Sequence, residues 1–298
     1  MSRPAARRRR RIAIAAALFA ALVCAFVLPG LQRELVTVTY TVRAQGMTGR
    51  ARLALLTDFH SNDYGEGADE LLRAVEAAAP DLVLLVGDII DDELPEDRAE
   101  ALLAGLAARW PCRYVTGNHE FQGGNRAFDR RMAILARCGI PRLRGEAVTV
   151  AAGTAVFALC GVDDPDGTGP FSPHDEDVRS YDRQLSDAKA QAEPGLYTVL
   201  MAHRPERVRL YADMGYDLVL SGHAHGGQWR VPGLINGVFA PYEGLFPRYA
   251  GGLYRVDGTT MVVSRGLDRE TTVIPRLYNP PELVIVELVG DDAEVTGE

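Results

Sequence analysis

Short runs of almost unbroken apolar residues, each stopping abruptly on a polar group, constrain this chain more than any other feature. Arg52 to Thr57, Asp81 to Val86, Leu196 to Ala202 and Asp217 to Leu220 are such runs. Their length and apolar continuity suit strands buried within a layered protein. Segments of helical composition alternate with them: 68 to 79, closed by Pro80, then 95 to 109, about 125 to 138, 181 to 191, and a stretch opened by Pro205. Residues 35 to 43 alternate in β-favouring types. Residues 147 to 150 and 154 to 161 read as paired strands, and late strands are expected over 252 to 256, 260 to 263 and 283 to 288. Residues 164 to 177, rich in Gly, Pro and Asp, read as a surface loop. No linker-like stretch divides this alternation, so the expectation is one α/β domain over 35 to 290.

The N-terminus is of a different kind. Arg7 to Arg11 precede an apolar run from Ile12 to Leu28, ended by Pro29-Gly30. At about 17 residues without charge, the run sits at the lower limit for a bilayer span. A basic flank stays cytoplasmic, which assigns 1 to 11 to the inner side, 12 to 31 to a transmembrane anchor, and the body to the outer side of the cell membrane. A cleaved secretory signal is the competing reading, but no small-x-small site follows the run.

Composition excludes several classes. The formal charge is -8, yet six arginines lie in the first eleven residues, leaving 26 basic against 40 acidic side chains in the body. An acidic body is not that of a nucleic-acid binder. Four cysteines with no Cys-x-x-Cys offer neither a disulfide framework nor a zinc finger. Nothing in the sequence sets an oligomeric state.

The polar stops carry the chemistry. Asp58 and His60, Asp88, Asn118 and His119, His203, and His223 and His225 all follow strand-like runs. Five of the six histidines belong to this set, and His174 alone lies outside it. Strand C-terminal ends are where open α/β sheets place their ligands, and imidazole with carboxylate is a metal-binding chemistry. If the extended conformation persists beyond Leu220, alternation puts His223 and His225 on one side of the sheet edge.

Taken in order, Asp58-Phe59-His60, Gly87-Asp88-Ile89-Ile90-Asp91, Gly117-Asn118-His119-Glu120, His203 and Gly222-His223-Ala224-His225 resemble the calcineurin-like metallophosphoesterases. The resemblance runs from about Arg52 to Leu288. Gly226-Gly227-Gln228, the Arg248 region and Ser264-Arg265-Gly266-Leu267 resemble the membrane-anchored bacterial subgroup. That subgroup contains phosphodiesterases and relatives of enzymes that cleave lipid-linked nucleotide pyrophosphates. The resemblance implies a four-layer α/β/β/α sandwich and two divalent metal ions, with Mn, Fe or Zn suited to the donors. It implies one ion on Asp58, His60, Asp88 and His225, the other on Asp88, Asn118, His203 and His223, with Asp88 shared. His119 would be the catalytic acid, and Asp91 would orient a histidine. The implied activity is hydrolysis of a phosphodiester or pyrophosphate bond in a phosphate-containing substrate that is lipid-linked or presented at the membrane. Ser61-Asn62-Asp63 replaces the family's apolar-Gly pair after His60, so the rim there has its own shape. The alternative is a non-catalytic, metal-dependent binding protein at the cell surface, against which an intact His119 argues.

One further stretch has a double reading. Trp229, Val231, Leu234, Ile235, Val238, Phe239, Tyr242, Leu245, Phe246 and Tyr249 directly follow the His-x-His motif. Such side chains either cover a sheet edge as core or lie at a lipid headgroup boundary.

Overall fold

The computed structural model describes residues 3–168, 180–269 and 275–293. In chain order its first half contains α1 (Arg3–Gly30), β1 (Val36–Arg43), β2 (Arg50–Leu56), α2 (Asp69–Ala78), β3 (Leu82–Val86), α3 (Glu96–Ala107), β4 (Cys112–Val115) and α4 (Asn125–Cys138). The second half contains β5 (Glu146–Ala152), β6 (Ala155–Gly161), α5 (Tyr181–Gln191), β7 (Thr198–Met201), α6 (Val208–Asp213) and β8 (Leu218–Ser221). After these come β9 (Phe239–Ala240), β10 (Gly244–Leu245), β11 (Gly252–Val256), β12 (Thr259–Val263) and β13 (Glu282–Val289).

Two sheets form the middle of the molecule. One has the order β1-β13-β2-β3-β4 and the other β11-β12-β8-β7-β6-β5. Alternation along each strand explains the unbroken apolar runs. Leu53 and Leu55 of β2 face the second sheet, where they meet Phe157, Val199 and Leu220. Ala54 and Leu56 face the other way, onto Leu71 and Val75 of α2 and Leu102 and Leu106 of α3. Leu200 and Val219 pack onto Leu185 of α5 and Val208 of α6. A strand with both faces covered needs apolar residues at every position, so the result is a four-layer α/β/β/α sandwich. The expected strands and helices all occur, with ends shifted by a few residues. Of the loop expected over 164 to 177, residues 165–168 form a 3₁₀ turn, and 169–177 lie outside the described residues.

β13 is a return the sequence pattern does not disclose. It pairs parallel to β1 and antiparallel to β2, so the last described strand lies inside the first sheet.

α1 is longer than the apolar run alone implies. Helical geometry continues through the arginines, and Arg8–Gly30 is a 23-residue stretch with none of its apolar window buried against the body. At 1.5 Å per residue this is about 34 Å, long and apolar enough to cross a membrane. Its end is held by the body: Tyr278 N–H donates to Gly30 O at 2.7 Å. The Tyr278 hydroxyl donates to Phe26 O at 2.6 Å, and the two rings lie 5.2 Å apart.

Candidate metal centre

The C-terminal ends of β2, β3, β4, β7 and β8 converge, and the turns that leave them interlock. Asp58 N–H donates to Gly87 O and His60 N–H to Asp88 O, both at 3.0 Å. This packing demands unusual backbone. Asp58, His60, Asp88, His223 and His225 all have positive φ, between 45° and 66°. Left-handed conformations are costly for residues with a Cβ and persist where the surroundings over-determine them, which is characteristic of functional sites. Gly87 is a steric necessity here: at φ +82° a Cβ would lie 2.6 Å from His203 Nδ1.

The turn after β8 corrects the expected extended run. The strand ends at Ser221, and between the two left-handed histidines Ala224 is right-handed helical (φ -79°, ψ -7°). His223 and His225 are therefore aimed by a turn, not by strand alternation, and they join different groups. Asp58, His60, Asp88 and His225 each offer one atom within 4.8 Å of the others, and so do Asp88, His203 and His223. Asp88 belongs to both groups. Its Oδ1 accepts His119 N–H at 2.9 Å, while Oδ2 lies 3.1 Å from His203 Nε2 and 3.7 Å from His60 Nε2. One oxygen, not the pair, faces both groups.

Hydrogen bonds set which nitrogen each histidine presents. His203 Nδ1 donates to Val86 O at 2.8 Å, and His60 Nδ1 lies 2.9 Å from Asp91 Oδ1. Each therefore turns Nε2 towards Asp88. Among the described residues, His60 Nε2, His203 Nε2, Asp88 Oδ2 and Asn118 Oδ1 are buried without a well-formed hydrogen bond, the 3.1 Å approach of His203 Nε2 to Asp88 Oδ2 being an ion-pair contact. Buried polar atoms are normally paired, and leaving several orphaned together is expensive. Nitrogen and oxygen donors gathered around one shared carboxylate, with the closest approach an imidazole–carboxylate contact of 3.1 Å, fit divalent cations.

The electrostatics agree. Burial alone would lower the His60 pKa, but its hydrogen bond to Asp91 and the charges of Asp88, Asp268 and Asp58 push it up to about 9. His203, likewise opposed by burial, is pushed up to about 10, chiefly by Asp88. Burial would raise Asp88, yet the surrounding histidines, His203 foremost, hold it well below the usual carboxylate range. His223 goes the other way: burial, then the charges of His203 and Arg204, hold it well below 6.5 and keep its imidazole neutral.

Several contributors escape the sequence reading. Asp92 Oδ1 lies 2.6 Å from His119 Nδ1, whereas Asp91 is 3.6 Å from that nitrogen. Asp268 Oδ2 lies 3.5 Å from His225 Nδ1. Arg204, buried, forks onto Asp164 at 2.6 and 2.8 Å, and its Nη1 is 3.2 Å from His223 Nε2. Glu120 is fully buried and accepts five hydrogen bonds. Its donors are the N–H groups of Asp88, Ile89, Ile90 and Gly117 and the Tyr114 hydroxyl, at 2.7 to 3.0 Å. It braces the turn that carries Asp88. Removing it by Glu120→Ala strands four buried N–H donors, each at about 1–3 kcal/mol, so urea unfolding should show a loss on the order of 4 kcal/mol. A loss under about 1 kcal/mol would refute the bracing role.

A two-sheet sandwich whose strand ends gather buried carboxylates and imidazoles around one aspartate defines a metal-dependent hydrolase. The chain belongs to the calcineurin-like phosphoesterases: that family's model matches residues 51–227. An uncharacterized metallophosphoesterase of Aquifex aeolicus is 31% identical over 225 residues, covering 73% of this chain and 76% of that protein. The Escherichia coli phosphodiesterase YaeI is 31% identical over 243 residues, covering 80% and 82%. A Bos taurus transmembrane protein with a metallophosphoesterase domain is 30% identical over 223 residues, covering 71% of this chain and 47% of its own length. The protein is a metal-dependent phosphoester hydrolase.

Proposed function

We propose that this hydrolase cleaves a phosphodiester or pyrophosphate bond in a lipid-linked or otherwise membrane-presented substrate, on the outer side of the cell membrane. The observation that carries the reading is the pair of buried carboxylate and imidazole groups that share Asp88. Asp58, His60, Asp88 and His225 hold one divalent cation in this reading, and Asp88, Asn118, His203 and His223 the other. Mn, Fe or Zn suits such mixed donors. When bound, the cations supply Lewis acidity that activates water and neutralises charge on the phosphoryl group.

The chain's own groups do the rest. Asp91 fixes the ring of His60, and Val86 O that of His203, so both nitrogens are aimed before binding. His119, about 29% exposed, stands beside the site with Nδ1 held by Asp92, leaving Nε2 to deliver a proton. As water oxygen bonds to phosphorus, the ester P–O bond breaks, and that proton goes to the leaving oxygen. The relative named as a phosphodiesterase supports the diester assignment. The arginine-flanked α1 supports the membrane and the orientation. The domain is taken as 35 to 290, on which all these groups lie.

The test is hydrolysis of bis(p-nitrophenyl) phosphate by the full chain, stripped with chelator and resupplied with single metals. Turnover restored by manganese, iron or zinc is expected. No turnover with any divalent metal would return the reading to a surface binding protein. Protease added to intact spheroplasts should digest the body; a protected body would overturn the orientation.

Because His60 and His203 carry raised pKa values near 9 and 10, the metal-free protein holds protons there at neutral pH. Cation uptake must displace them, so calorimetry at pH 7.5 in buffers of different ionisation enthalpy should report release of about two protons. Uptake independent of buffer would contradict this.

A further inference from the structure

We propose that the segment 229–246 dips its exposed apolar side chains into the bilayer that α1 crosses, so that the mouth of the metal centre opens at headgroup level. The inference rests on reading α1 as a membrane span and needs nothing about the chemistry.

The exposed apolar groups are concentrated. Outside α1 and the residue that follows it, the described body exposes eight large hydrophobic side chains, and six of them fall in this segment: Trp229, Leu234, Phe239, Tyr242, Leu245 and Phe246. The double reading of the stretch is thus divided. Tyr249 is buried as core, whereas these six face outward. Scattered apolar exposure is ordinary, but exposed aromatic and aliphatic side chains concentrated in one segment mark an interaction site.

Three connections tie the segment to α1. Leu277 bridges Trp229 in a short parallel pairing, with Arg230 N–H donating to Leu277 O at 2.9 Å. Trp229 Nε1 donates to Pro275 O at 2.9 Å. The next residue, Tyr278, holds Phe26 and Gly30 at the end of α1. Residues 275–278 therefore contact both the start of the apolar segment and the end of the helix.

Chain length also confines the body. Gly30 ends α1 and Val36 begins β1. The five residues between reach at most about 18 Å, so the body stays at the membrane surface and even weak docking is effectively intramolecular. Apolar insertion rather than charge must drive it, because the body carries 26 basic against 40 acidic side chains and anionic lipid would repel it. The segment is also next to the chemistry: the Tyr242 ring is 5.4 Å from that of His223 and covers the Arg204 guanidinium at 4.2 Å. Substrate held in a leaflet would meet the site without leaving it.

The test uses the full chain reconstituted in phosphatidylcholine–phosphatidylglycerol vesicles, with or without acyl chains brominated near the headgroup. Trp110→Phe leaves Trp229 as the only indole, and Trp229→Phe leaves Trp110 as the internal control. Trp229 emission should be quenched at least twofold by brominated lipid, with no dependence on salt, and Trp110 far less. Phe239→Ser with Phe246→Ser should at least halve the quenching. Equal Trp229 emission in both vesicles, while the chain resists carbonate extraction, would overturn the docking and leave the anchor standing. Extraction as a soluble protein would overturn both. Unquenched Trp229 together with cross-linking between copies through Phe239→Cys would assign the segment to a second copy instead.

Discussion

Asp88→Asn should leave the fold intact and lower turnover by more than about 10³-fold, a barrier increase above ~4 kcal/mol. The substitution keeps the size of the side chain and an oxygen to accept His119 N–H, so circular dichroism should be unchanged. What it removes is the charge on the one oxygen that faces both His60 and His203. Both groups lose their common carboxylate at once. Metal analysis should show less bound cation than in the parent. Full dinuclear occupancy in the Asp88→Asn protein would rule out a shared ligand.

His119→Ala should keep its metals and lose about 10²- to 10⁴-fold in kcat, the range for a missing general acid. The side chain contributes no atom to the two groups centred on Asp88, which is why occupancy should survive. The loss should shrink for p-nitrophenyl esters, whose leaving group needs no proton, and grow for alkyl esters. An equal loss for both would count against proton delivery. Asp92→Asn should show the same leaving-group dependence with a smaller loss, since it removes only the partner that orients the ring at 2.6 Å.

The sandwich is legible in the sequence because burial on both faces writes itself into every position of a strand, as in Leu82–Val86. The gathering of Asp58, His60, Asp88, His203, His223 and His225 is legible because each follows such a strand. Their aim is not. Five left-handed residues, Asp58, His60, Asp88, His223 and His225, occur where local preference is against them. Only the interlocked turns enforce them, and these turns come from distant parts of the chain. The partners that orient the histidines are equally hidden. Asp91 and Asp92 are neighbours in sequence, and only tertiary placement gives one to His60 and the other to His119. Glu120 and Asp268 look like ordinary acids until the backbone N–H groups and His225 are in place around them.

The position of β13 bears on when this protein can become active. Among the described residues β1 pairs with no strand except β13, and Val36 at its start lies opposite Glu282. During synthesis, β1 and β2 emerge early and must wait for almost the whole chain before the strand that belongs between them arrives. Contacts so far apart in sequence form late, after the loop-closing entropy has been overcome. The turn bearing Asp58 and His60 hangs directly from β2, so a chain whose last strand has not yet paired has no finished cation site. In the orientation proposed above, the cation site would be completed on the outer side, after the last strand has crossed, so the cations available there would be the ones it meets first.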